Sequence, residues 1–292
     1  FLHEENSVCR KMEITDYPLD LLNQLTRLDI EEYLQYLSYY EKDGREYTND
    51  ERGKSRKLAS LRSFYNYFFE NEMIEKNPAS IVPMPKLHEK NIIRLEPNEV
   101  AILLNQVENG DKLTEKERSF HEKTKFRDVA LLTLLLGTGI RVSECVGLDL
   151  KDLDFESNGI RIKRKGGYES IVYFGDEVET ALLDYLEQRH HIIPMQGHEN
   201  ALFLSLQNRR MAVRSVENLV KKYASRVTTL KKITPHKLRS TYGTSLYRET
   251  GDIYLVADVL GHKDVNTTRK HYAALEDERR RSAANKVRLR DP

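Results

Sequence analysis

Six residues have side chains whose types and spacing suit chemistry on a phosphate. In "GTGIRVSE", Arg141 follows an apolar stretch and is flanked by Gly137 and Gly139, which permit tight turns and close approach of a ligand. In "TPHKLRS", His236 and Arg239 stand three apart, on one face of a helix predicted to begin near Pro235. "KRKGG" supplies Lys165, "LGHKDVNTT" supplies His262 and "KHYA" supplies Tyr272. Arginine's planar fork suits bidentate binding of phosphate oxygens. A tyrosine becomes a covalent nucleophile once a base and local positive charge offset its pKa of about 10. Singly, four of them also have an ordinary reading. Arg141 pairs with Glu144, Lys165 is one of three adjacent cations with Lys163 and Arg164, His262 is a satisfied polar group, and Tyr272 is a half-buried helix tyrosine. No Asp/Glu cluster accompanies them, so nothing resembles a carboxylate cage for Mg²⁺, and no metal or cofactor is expected.

These side chains need elements to carry them. "KFRDVALLTLLLGTGI" is apolar enough to be a buried helix delivering Arg141. "GIRIKRKGGYESIVYF" alternates around a Gly-Gly pair, a hairpin with Lys165 at its tip. "DEVETALLDYLEQRHH", a basic stretch from Val213, "HKLRSTYGTSLYRET" and "DIYLVADVLGH" read as helices, and Asn266 to Thr268 as the start of the helix bearing Tyr272. Upstream, "LEPNEVAILLNQVENG" is helical, and the charged "GDKLTEKERSFHEKT" reads as an exposed insertion. Before residue 80, "LTRLDIEEYLQYLSYYEKDG" places Ile30, Tyr33, Leu34 and Leu37 on one stripe ending at Gly44, and "SRKLASLRSFYNYFFENEMIEKNPAS" repeats the pattern up to Pro78. "NPASIVPMPKLHEKNI" has three prolines and no period, as a linker would. The expected architecture is mainly α with a small β-sheet or hairpin: a helical domain over 1–80, a linker over 81–94 and a larger domain over 95–292.

At 292 residues, 39% hydrophobic and 32% charged, the chain can bury two cores and is not disordered. No apolar run approaches the roughly 18 residues of a membrane span, and no signal peptide is visible. Cys9 and Cys145 are far apart, and read as free thiols of a reducing cytoplasm. The opening Phe-Leu-His suggests a trimmed N-terminus. The net charge of +1 averages unlike regions. Residues 1–50 carry twelve acidic against five basic side chains, whereas residues 205–240 carry ten Lys/Arg against Glu217 alone. Val213, Val216, Leu219, Val220 and Tyr223 recur at helical spacing within the basic run, which predicts a folded helix with a phosphate-binding side. His121, His190, His191, His198 and His271 lie in no motif and are expected at the surface; Tyr242 and Tyr247 are expected to pack.

"TGIRVSE", the "KRKGG" turn, "PHKLRSTYGT", "LGHKDVNTT" and "HYA" occur here in order, and in that order the chain resembles the tyrosine recombinases, the phage-integrase and Xer-like family. The resemblance covers about residues 95 to 275 and is met at all six positions; the helices before residue 80 resemble the family's core-binding domain. It implies a two-domain recombinase that cuts and rejoins double-stranded DNA through a 3′-phosphotyrosyl intermediate. Arg141 and Arg239 would grip the scissile phosphate, and Tyr272 would attack phosphorus. Lys165 would protonate the leaving 5′ oxygen. His236 would assist proton transfer at the tyrosine, and His262 would donate to the phosphate. The implied partners are double-stranded DNA, three further copies in a tetramer on DNA, and a directionality or host accessory protein; no membrane is implied. The tail 276–292, through Ala283, Val287 and Leu289, would dock on a neighbouring protomer. Two alternative functions compete with this one: a type IB topoisomerase-like relaxing enzyme, against which "LGHKDVNTT" speaks, and a DNA-binding accessory or regulator without catalysis, against which the intact set speaks. The target site, the biological role and the place of the insertion at 109–125 are not legible.

Overall fold

The computed structural model describes residues 1, 2, 9, 13–87, 93–164, 166–262, 264, 265 and 268. Lys165, Asn266, Thr267, His271, Tyr272 and the tail all lie outside the described residues, and of the expected start of the tyrosine's helix only Thr268 is described. Packing divides the chain into two units, Phe1–Lys90 and Asn91–Pro292.

In the first unit, α1 (Leu21–Gln24) leads into α2 (Arg27–Tyr36), where Thr26 and Asp29 form a capping box. The helix stops at Tyr36, short of the Gly44 end that the apolar stripe predicts. "YYEKDGREYT" folds instead as an antiparallel hairpin, β1 (Tyr39–Lys42) and β2 (Arg45–Thr48). Asp43 and Gly44 both take positive φ, 52° and 68°, as a two-residue turn of this hand requires. Turn chemistry outweighed the helical stripe. Next, α3 (Glu51–Glu70) starts at Asp50, which accepts from the Gly53 N–H, and buries Leu58 and Tyr65. Residues 77–82, expected in or beside a linker, fold onto this core. Asn77 caps α4 (Pro78–Ile81), and Ala79 and Val82 join Leu58 and Tyr65. Arg62 fastens this segment by donating to the carbonyls of Ala79 (3.0 Å) and Val82 (2.5 Å).

In the second unit, α5 (Pro97–Asn109) ends at left-handed Gly110 and precedes α6 (Glu115–Thr138). Ala130, Leu131, Leu132, Leu134 and Leu135 of α6 are wholly buried, so this helix is the axis of the core. The charged stretch read as an insertion is, from Glu115 on, the first half of the same helix. Thr114 and Glu117 cap it, and Arg226 reaches back to Glu117 at 2.6 Å. His121, expected at the surface, is 1% exposed and shares a 3.1 Å hydrogen bond with the Tyr223 hydroxyl. Charge density hid a helix face closed by another helix rather than by water.

After α7 (Val142–Gly147), β3 (Leu153–Asp154), β4 (Gly159–Lys163) and β5 (Glu169–Tyr173) form a three-stranded antiparallel sheet with Lys163 opposite Glu169. The hairpin was expected; β3 is too short to show a period. The helices α8 (Asp176–His190), α9 (Val213–Ala224), α10 (Pro235–Thr250) and α11 (Ile253–Leu260) follow. Among the described residues no helix is long and apolar enough to cross a membrane.

Candidate active site

The C-terminal ends of α6 and α11 meet the first turn of α10. Gly139 closes α6 at φ 64°, and a Cβ there would lie 2.4 Å from the Tyr242 ring and 3.0 Å from Leu260. A Cβ on Gly137 would meet Val178 at 2.5 Å. The two glycines thus make room for protein neighbours, not for the ligand the sequence suggested. Gly139 also supplies the left-handed cap that ends the helix and releases the chain toward Arg141.

The decisive feature is how the end of α11 is satisfied. A helix leaves its last four carbonyls without intrahelical donors. Gly261, at φ 60°, turns the chain so that its N–H donates to Asp258 O at 2.8 Å and the His262 N–H donates to Ala257 O at 2.9 Å, a Schellman closure. The next three carbonyls each accept from a guanidinium. Arg164 Nη2 donates to Val259 O at 3.0 Å, Arg239 Nη2 to Leu260 O, and Arg141 Nη2 to Gly261 O at 3.3 Å. Arg239 Nη1 also donates to Gly139 O at 2.5 Å, joining the ends of α6 and α11. Cations at helix C-termini are favoured by the helix dipole. Here three of them gather within one turn of His262.

Arg141 is the N-cap of α7, and Glu144 binds it twice, through its backbone N–H at 2.7 Å and its Nη1 at 2.8 Å. The ordinary ion-pair reading of Arg141 is therefore correct and compatible with the site, since its side chain stays 36% exposed while that of Glu144 is 4% exposed. Arg239 is 5% exposed. His236, one turn before Arg239 on α10, is solvent-accessible on one side. Partial loss of solvent lowers its pKa first, and the charges of Lys237, Arg239 and Arg141 lower it further. His262 Nδ1 lies 2.6 Å from the Thr268 hydroxyl, which fixes the ring's orientation. The structure therefore brings Arg141, His236, Arg239 and His262 together, while Lys165 and Tyr272 lie outside the described residues.

Sequence reasoning missed Arg164. The signal was present: Ile160 and Ile162 face inward on β4, and in a period of two the next inward position is 164. An arginine there must find partners inside the fold.

The profile of the Phage integrase family matches residues 94–279, a span that holds all six sequence-selected positions. The chain belongs to the phage integrase family. It is a tyrosine site-specific recombinase, and among its relatives is tyrosine recombinase XerC of Caldanaerobacter subterraneus subsp. tengcongensis, 34% identical over 94% of this chain and 72% of the relative. Tyrosine recombinase XerC of Listeria welshimeri is 32% identical over 92% of this chain and 88% of its own. Among solved structures, XerH site-specific recombinase bound to palindromic difH substrate aligns with TM-score 0.70 at 20% identity, over 90% of this chain and 72% of that one. The Tn1549 transposon integrase in complex with circular intermediate DNA gives 0.65 at 23%, over 91% and 85%. At these identities the two structures speak for the fold.

The basic run of this recombinase is less available than its composition implies. Arg210 pairs with Asp149, Arg226 with Glu117 and Lys231 with Glu99, and Arg239 is buried in the carbonyl cage. Arg214, at 81% side-chain exposure and paired at the surface with Glu217 at 3.0 Å, lines with Lys221 and Lys232 an open depression of about 740 Å³ beside α9. Counting charge in a sequence cannot separate cations that face solvent from those that fasten loops.

Proposed function

We propose that the arginine-capped end of α11 is where a DNA phosphate is held for cleavage and rejoining. The observation that carries this reading is the convergence of Arg141, Arg164 and Arg239 on three successive carbonyls immediately before His262. Positive groups fixed in advance stabilise charge gathered on phosphoryl oxygens without reorganising during reaction. Arg141 and Arg239 contact the non-bridging oxygens and His262 donates to the same phosphate. Tyr272 attacks phosphorus, forming the tyrosyl–phosphate bond as the bond to the 5′ oxygen breaks, and Lys165 delivers the proton to that oxygen. His236 takes the tyrosine proton. Strand rejoining reverses these steps, so the phosphodiester energy is retained. Double-stranded DNA is the substrate, and four protomers act together on it, with the tail 276–292 linking neighbours and an accessory protein setting direction. The first unit is the core-binding domain, and the protein works in the cytoplasm.

The test is covalent capture. A random-sequence duplex pool selected for SDS-resistant adducts supplies the site; a nicked duplex of that site then traps the cleaved state. Adduct formation should proceed at full rate in EDTA, because guanidiniums occupy the role that divalent ions take in two-metal enzymes. Loss of adduct in EDTA with recovery in Mg²⁺ would refute this chemistry.

The lowered pKa of His236 gives a pH prediction. A base is lost as pH falls through its pKa in the folded protein, so the acid limb of single-turnover cleavage should lie below the ordinary histidine value of about 6.5. A limb centred above that value would remove His236 from the role.

A further inference from the structure

Arg164 is the one guanidinium of the cluster with no part in the chemistry above, and its placement is unusual. Its backbone closes the β4–β5 turn: its N–H donates to Tyr168 O at 2.7 Å and its carbonyl accepts from the Gly167 N–H at 3.1 Å. Its side chain runs inward to the end of α11, where Nη2 holds Val259 O. The head of that side chain fills the space a side chain at residue 261 would need, since a Cβ on Gly261 would fall 1.5 Å from Nη1. Nη1 is buried and has no hydrogen-bond partner among the described residues. Burial lowers the Arg164 pKa; Glu144 opposes that effect and Arg141 adds to it.

Such an arrangement is costly on its own terms. A buried donor left unpaired and a desolvated cation both oppose folding, and the Glu144 and Asp258 carboxylates offset part of the second effect. Capping Val259 O does not require it, because water can satisfy a helix-end carbonyl. An unsatisfied buried group of this kind calls for a reason beyond packing.

We propose that Arg164 is a positioning residue for proton delivery to the leaving oxygen. By its contact with the last turn of α11 it holds the residue that precedes Lys165 in sequence in one frame with Arg141, Arg239 and His262. Glycine at 261 is the other half of the seat. This rests on the reading of Lys165 as general acid, and the test separates the two.

Single-turnover cleavage of the captured, nicked duplex is measured with an ordinary 5′ oxygen and with a 5′-bridging sulfur, which leaves without a proton. Lys165→Ala should be slowed by about 10²- to 10⁴-fold on oxygen and restored on sulfur. Arg164→Ala should lose about 10- to 100-fold on oxygen, the scale of a small misplacement, and return to the wild-type rate on sulfur with unchanged DNA affinity. Arg164→Lys keeps the charge without the fork; it should behave the same way and carries the comparison if the alanine variant does not fold. Rescue of Lys165→Ala alone, with Arg164 variants either at wild-type rate or equally slow on both substrates, would overturn the role of Arg164. No rescue of Lys165→Ala would overturn the general-acid reading, and this inference with it.

Discussion

Tyr272→Phe should abolish covalent attachment to DNA, lowering adduct formation by roughly 10⁴-fold or more, the scale expected when a nucleophile is removed. Binding should be nearly unchanged, because affinity for DNA comes mainly from phosphate contacts, and a single hydroxyl adds little. The motive is positional: Tyr272 follows His262 by ten residues within the family-matched span. The described tyrosines nearby fit the task poorly. Tyr242 packs on Gly139, and burial raises its pKa, the wrong direction for a nucleophile. Tyr247 is 5% exposed and belongs to a small core with Val256 and Leu260. Tyr254 is open to solvent on α11 and has no motif around it. The check is an SDS-resistant band on the nicked duplex, with a gel-shift titration alongside. An adduct formed by the phenylalanine variant would show that another residue attacks.

What the sequence made legible follows from the range of the interactions involved. The helices carrying His236, Arg239 and the residues before His262 were readable because caps and apolar periods are local signals: Pro235 starts α10, Gly251 ends it, and Gly261 ends α11. The hairpin under Lys165 was readable from its alternation and paired glycines. Contacts made across the fold were not. Nothing within ten residues of His121 announces that Tyr223 will cover it. Nothing near Arg210 or Arg226 announces that Asp149 and Glu117 will consume their charge. The three-arginine cap is of the same kind, since Arg141, Arg164 and Arg239 come from three separate elements and meet only on α11. One difference is local: Asp43-Gly44 is a turn signal within the chain itself, and it ends the helical stripe that runs through Leu37.

Arg239→Ala should damage both the chemistry and the fold, and the two losses should separate. Its guanidinium donates to Gly139 O and Leu260 O, the ends of two helices, from a position 5% exposed. Truncation leaves two buried carbonyls without donors at about 1–3 kcal/mol each, so a total destabilisation of about 2–6 kcal/mol is expected in urea unfolding. Cleavage by the protein that remains folded should fall by about 10²- to 10³-fold, the usual loss for one preorganised donor to a developing anion. Arg141→Ala offers the contrast. Its side chain is far more exposed, so its loss strands one buried group above all, the Glu144 carboxylate that it pairs. Adding Glu144→Gln removes that stranded charge and should recover most of the stability of Arg141→Ala without recovering cleavage. Stability and cleavage recovering together would mean that Arg141 serves the fold alone. Arg239→Ala cleaving at the wild-type rate once corrected for its folded fraction would remove the buried guanidinium from the phosphate site and leave it as the clasp between α6 and α11.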